Sequence, residues 1–118
     1  MNSQQKFELT EKLKEIVSEM NLEIDCVVVE GMNDKQALKR LGFENNVVYA
    51  QERPTFRNNE KIAILTDFDS EGEFLLRKLT ERLKGKVRIN YVFRERFRDL
   101  LTPIGRRDIE SINNLLDF

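Results

Sequence analysis

Short apolar runs punctuate the chain, and amphipathic stretches fill the spaces between them. Residues about 5–21 carry Leu9, Leu13, Ile16, Val17 and Met20 at helical spacing, with Glu8, Lys12, Glu15 and Glu19 on the other side. This stretch predicts a helix lying on a sheet. Ile24 to Glu30 is almost wholly apolar and predicts a buried strand. Asn33 or Asp34 can cap the helix that follows, Ala37, Leu38 and Leu41 give it an inner face, and Gly42 ends it. Val47-Val48-Tyr49, within 46–50, predicts a second strand, and 51–60 reads as a loop with room for one helical turn. Ile62 to Thr66 predicts a third strand. Ser70 and Glu73 then have capping-box spacing for a helix to about Lys84, with Phe74, Leu75, Leu79 and Leu83 inside and Gly85 closing it. Val87 to Phe93 alternates with Arg88 and Asn90, as an edge strand does. A short helix from Arg94 to Leu101 follows. Pro103 and Gly105 break it, and a last helix carries Ile109, Ile112, Leu115 and Leu116.

This alternation predicts an α/β fold: a Rossmann-like sheet of about four mainly parallel strands flanked by helices. One domain over 1–118 is expected, with its core at about 24–93 and a C-terminal helical segment at about 94–118. Right-handed crossovers admit the order 2-1-3-4, which sets the first and third strands side by side. In parallel sheets ligands bind outside the carboxyl ends of the strands. The first strand ends in Glu30-Gly31 and the third in Asp67-Phe68-Asp69-Ser70-Glu71-Gly72. Glu30, Asp67 and Asp69 would therefore meet at one edge. Three close carboxylates repel unless a cation joins them, and hard oxygen donors suit Mg²⁺ or Mn²⁺.

The composition narrows the chemistry further. The chain has no histidine and one cysteine, Cys26, inside a predicted buried strand, so histidine-based triads and zinc sites are excluded. Any metal must be held by oxygen. No apolar run approaches the roughly 20 residues that span a bilayer, and the polar start lacks a signal-peptide core, so a cytoplasmic protein without membrane contact is expected. Net charge is −1 and the sequence pI about 5.6, which argues against a uniformly basic nucleic-acid binder. Between Arg82 and Arg107, however, nine basic residues face only Glu95 and Asp99, leaving either a solvated charged face or a phosphate-contacting one. Lys35, Arg53 and Arg57 carry the same two readings. Phe97, among Arg94, Arg96 and Arg98, could stack on a base but reads better as core. Tyr49 and Tyr91 lie on predicted strands and read as core or edge packing.

Val27-Val28-Val29-Glu30-Gly31, followed by Leu65-Thr66-Asp67-Phe68-Asp69-Ser70-Glu71-Gly72-Glu73, resembles the Toprim domain of type IA topoisomerases, DnaG-type primases and ribonuclease M5. The resemblance covers roughly Ile24 to Phe93. It implies Glu30 as metal ligand or general acid/base, and Asp67 and Asp69 as Mg²⁺ ligands. It further implies phosphodiester chemistry on RNA or DNA, with a small nuclease as the expected activity. Gly31, Lys35 and Gly72 would lie against the substrate. Phe68 stands where many Toprim domains carry proline, and topoisomerase and primase activity need further domains. A binding or regulatory module that needs a protein partner is therefore the alternative. Asp67-Phe68-Asp69-Ser70 also resembles the aspartyl-phosphate motif of haloacid-dehalogenase phosphatases, and receiver domains place acids at comparable strand ends. Against the receiver reading, no lysine follows Val92-Phe93.

Overall fold

The chain's strand residues divide by parity between two faces of one sheet. In the computed structural model, which describes residues 1–117, the strands are β1 (Cys26–Val29), β2 (Asn46–Tyr49), β3 (Lys61–Ile64) and β4 (Arg88–Asn90). All pair in parallel in the order β2-β1-β3-β4, with Val27 beside Val47 and Ala63, and Ile62 beside Ile89. The α/β, Rossmann-like class and the order expected from the sequence are both observed. Val27, Val29, Ala63 and Leu65 point into the larger core cluster, while Cys26, Val28, Ile62 and Ile64 point into a smaller one on the opposite face.

Helices α1 (Ser3–Glu23), α2 (Met32–Arg40), α4 (Val92–Leu101) and α5 (Ile112–Leu116) cover the larger cluster. Helix α3 (Ser70–Leu83) covers the smaller one, helped by the segment that joins β2 to β3. That segment opens with a 3-10 turn at Ala50–Glu52 and contains, among the described residues, both non-glycine residues of positive φ, Arg53 (φ 49°) and Asn59 (φ 63°). Among the described residues no helix is long and apolar enough to cross a membrane.

Several boundaries differ from the sequence reading, each for a local reason. α1 starts at Ser3 because Asn2 and Gln5 cap each other's backbone N–H groups. α2 is capped at Gly31 rather than at Asn33 or Asp34. Asp34 instead sits one turn in and its carboxylate accepts from the Gly31 N–H. α3 is capped by Asp69, not Ser70, and Phe74 faces solvent beneath Lys78 while Leu76 packs inward. β4 stops at Asn90, whose side chain accepts from the N–H groups of Val92 and Phe93 and so starts α4 two residues early. Tyr91 is thereby 47% exposed instead of packed on a strand. Ile109 is buried ahead of the last helix, not within it. Residue 118, the end of the expected C-terminal segment, lies outside the described residues.

The basic stretch is not one face. Arg94 is 3% exposed and Phe97 fully buried. Arg96 pairs with Glu19 on α1 and Arg106 donates to the Ser111 carbonyl. Exposing Phe97 to stack on a base would cost about 2 kcal/mol of burial, so it is core. Cys26 is likewise a core thiol, pushed up to about 11 by burial first and by Glu60 and Asp25 second.

Candidate functional site

The backbone ladder carries β1 and β3 to a common edge, where Leu65 N–H donates to the Val28 carbonyl. Beyond that bond Glu30 and Asp67 face each other, and the Glu30 carboxylate accepts from the Asp67 N–H at 2.7 Å. Asp69 lies at the start of α3 and accepts from the Gly72 N–H at 2.7 Å. The turn between β3 and α3 is held from several sides. The buried Thr66 hydroxyl donates to the Gly72 carbonyl, Phe68 N–H donates to the Arg107 carbonyl, and Arg94 donates to the carbonyls of Thr66 and Asp67. Arg94 also pairs with Glu73 at 2.9 Å and lies over the Phe68 ring at 5.3 Å. Glu73, read from sequence as a capping residue, is therefore the counter-ion of a buried arginine.

Two further acids belong to this edge, and the sequence reading missed both. Asp34 is buried, with its second oxygen accepting from the Glu110 N–H, and Asp108 lies in the C-terminal loop. Asp34 had a signal in its place three residues after Gly31. Asp108 had none, because only the tertiary fold brings it close. Asp67 is the focus of this charge: burial first, then Glu30, Asp34, Asp108 and Asp69, push its carboxyl up to about 7. Burial, with Glu110 and Glu30, pushes Asp34 up to about 6 against the backbone N–H bonds that favour its charged form.

A raised carboxyl favours the fold in its protonated form, and that contribution is complete below the unfolded value of 3.8. It is lost as pH rises through about 7, the value in the fold. Solvent reaches Asp67, so the roughly 4 kcal/mol implied by the shift is discounted to about 1–2 kcal/mol. Asp67→Asn is therefore expected to be more stable than wild type by that amount at about pH 8 and equal to it near pH 4. Urea midpoints across that range would show it, and a gap that does not grow with pH would contradict the placement of charge.

The expected substrate-side residues fall in different settings. A side-chain carbon added to Gly31 would meet nothing within 4 Å, so this backbone borders open space. Gly72 is buried, and its missing side chain makes room for the Asp67 carbonyl instead of a ligand. Lys35 is half-buried on α2 and, among the described residues, forms no ion pair. The donor set is hard and suits Mg²⁺, which takes one or two carboxylates and completes its shell with water and substrate oxygen. Among the described residues no three acids stand close enough to hold an ion by themselves. Asp67 is the acid left open, since no protein donor among those residues bonds its carboxylate.

No protein-family model matches the chain. It is 33% identical over 111 residues to the UPF0292 protein of Thermococcus sibiricus, covering 88% of this chain and 85% of that one. It is 28% identical over 116 residues to the UPF0292 protein of Methanocaldococcus jannaschii, covering 89% and 90%. A solved structure of a protein from Aquifex aeolicus matches with a TM-score of 0.64 and 27% identity, covering 86% of this chain and 94% of that one.

These relatives correct the Toprim resemblance, since they bear the UPF0292 name and nothing in them points to a Toprim domain. The physical reason is that most of the signature has local structural work. Glu30 closes the Asp67 N–H, Asp69 caps α3, and Gly72 clears the Asp67 carbonyl. A strand-to-helix turn of this shape asks for those residues whatever its family. By its match along nearly the whole of a relative, the chain belongs to the UPF0292 family.

Proposed function

We propose that the edge shared by β1 and β3 carries out Mg²⁺-dependent chemistry on nucleic-acid phosphodiesters, as a small nuclease. The supporting observation is the Asp67 carboxylate, open to solvent, without a protein donor among the described residues, and surrounded by Glu30, Asp34, Asp69 and Asp108. Asp67, with a free oxygen of Glu30 or Asp69, would hold the ion, and Mn²⁺ would serve in its place. When bound, such an ion polarises a phosphoryl oxygen and acidifies water without any histidine. The chain's part is to place the substrate. Open space in front of Gly31 admits a phosphate close to backbone, and the start of α3 offers its positive end. Lys35, four residues on from Gly31 within α2, would add a cation on the substrate side.

A second reading has its own observation. Because no three acids among the described residues hold an ion unaided, the chain would act as a non-catalytic nucleic-acid-binding module completed by a protein partner. Cleavage assays on structured RNA, single-stranded DNA and duplex DNA, with Mg²⁺, Mn²⁺ or EDTA, separate the two. The nuclease reading expects metal-dependent cleavage that falls about 100-fold or more in Asp67→Asn. Absence of cleavage on every substrate, with a gel shift that survives Asp67→Asn, would replace it with the binding module. Stable labelling of Asp67 by beryllofluoride would replace both with phosphotransfer.

A further inference from the structure

A cavity of about 260 Å³ lies between the β2–β3 segment and the end of α3, lined by Arg53, Pro54, Phe56, Arg82, Leu83 and Lys86 among others. It has three cationic side chains and no carboxylate in its lining. Among the described residues none of those three cations forms an ion pair, although Arg57 and Lys84 nearby are paired with Glu60 and Glu81. Arg82 adds an independent observation. Its Nε and one terminal nitrogen are shut away from solvent, and no acceptor among the described residues reaches them. Buried donors of a charged group are almost always matched, so this guanidinium is under-satisfied where it lies and gains by turning into the cavity, where its fork fits two oxygens of one phosphate. Arg53, at φ 49°, is the left-handed residue that ends the 3-10 turn at Ala50–Glu52, and it lines the same cavity. Phe56, Leu83 and Val87 give the same cavity an apolar wall.

We propose that this cavity binds the phosphate group of a nucleotide. The Arg82 guanidinium turns into the cavity to meet the oxygens, Arg53 and Lys86 add charge, and the base or sugar lies against the apolar wall with Phe56. The site is separate from the acidic edge and does not depend on any chemistry there.

Calorimetric titration with adenosine monophosphate, inorganic phosphate and adenosine tests it. Adenosine monophosphate is expected to bind and adenosine not to. Arg82→Gln is expected to weaken binding by about tenfold or more, as loss of a charge-assisted pair does. Lys86→Gln, on an exposed side chain that cannot disturb the fold, is expected to weaken it less, and Asp67→Asn not at all. Adenosine monophosphate that fails to bind, or binds equally to wild type, Arg82→Gln and Lys86→Gln, overturns the site. Inorganic phosphate that binds as tightly as the nucleotide overturns the nucleotide assignment and makes free phosphate the ligand. Because the readout is binding alone, a failed cleavage assay leaves this result unaffected.

Discussion

Gly72→Ala should cost the fold about 3 kcal/mol or more, read as a lowered urea midpoint with an unchanged slope. The added carbon would stand 1.9 Å from the Asp67 carbonyl oxygen, 2.5 Å from its carbon and 2.9 Å from its Cα. All three are backbone atoms, so no side chain can swing aside. The turn cannot relax easily either. Arg94 fixes the Asp67 carbonyl, Glu30 fixes its N–H, and Thr66 fixes the Gly72 carbonyl. Relief would require shifting the first turn of α3 and losing the Asp69 cap, which alone is worth about 1 kcal/mol. A variant within about 0.5 kcal/mol of wild type would mean that the turn is far looser than its hydrogen bonds imply.

Arg94→Met should be comparably damaging. Methionine fills much of the stem's volume but leaves the Thr66 and Asp67 carbonyls without their donor and Glu73 without its counter-ion. Breaking a buried pair on one side costs about 3–5 kcal/mol, because the remaining charge is left in a poor solvent. Glu73 is half-buried and can reach water, which places the expected loss near the lower end. Adding Glu73→Gln should return part of it, and this recovery separates a charge effect from lost packing. Urea unfolding of the two single variants and the double gives the coupling directly. No coupling would reduce Arg94 to a packing residue.

The sheet was legible because its residues obey one rule at a time. The apolar runs within Ile24–Glu30 and Ile62–Thr66 are too short for helices and too apolar for an exposed edge, so they had to be central, and adjacency of their acidic ends followed. The second half was harder. Val87 to Phe93 alternates as a strand does, yet Asn90 caps a helix in its middle, and side-chain capping overrides alternation. Arg94 was counted among surface cations because charge says nothing about burial when the partners are backbone carbonyls of a distant turn. The acidic edge was legible in Glu30, Asp67 and Asp69 but not in Asp108, which arrives from a loop with no periodicity. The family was misread for a related reason: a motif of acids and glycine can be written by turn geometry alone.

The two faces of the sheet are unequally covered, and the smaller cluster rests on α3 and an irregular segment alone. Layers with few buried contacts are where native proteins open first, well short of global unfolding. In this chain α3 and the β2–β3 segment would open together as one unit, leaving β1, β3 and the larger cluster in place. The Asp69 cap and the Arg82 cavity both belong to that opening unit, whereas Glu30 and Asp34 belong to the part that stays closed. Any ligand held across Asp67 and Asp69 would thus act as a latch between a slow-exchanging half of the molecule and a fast-exchanging one.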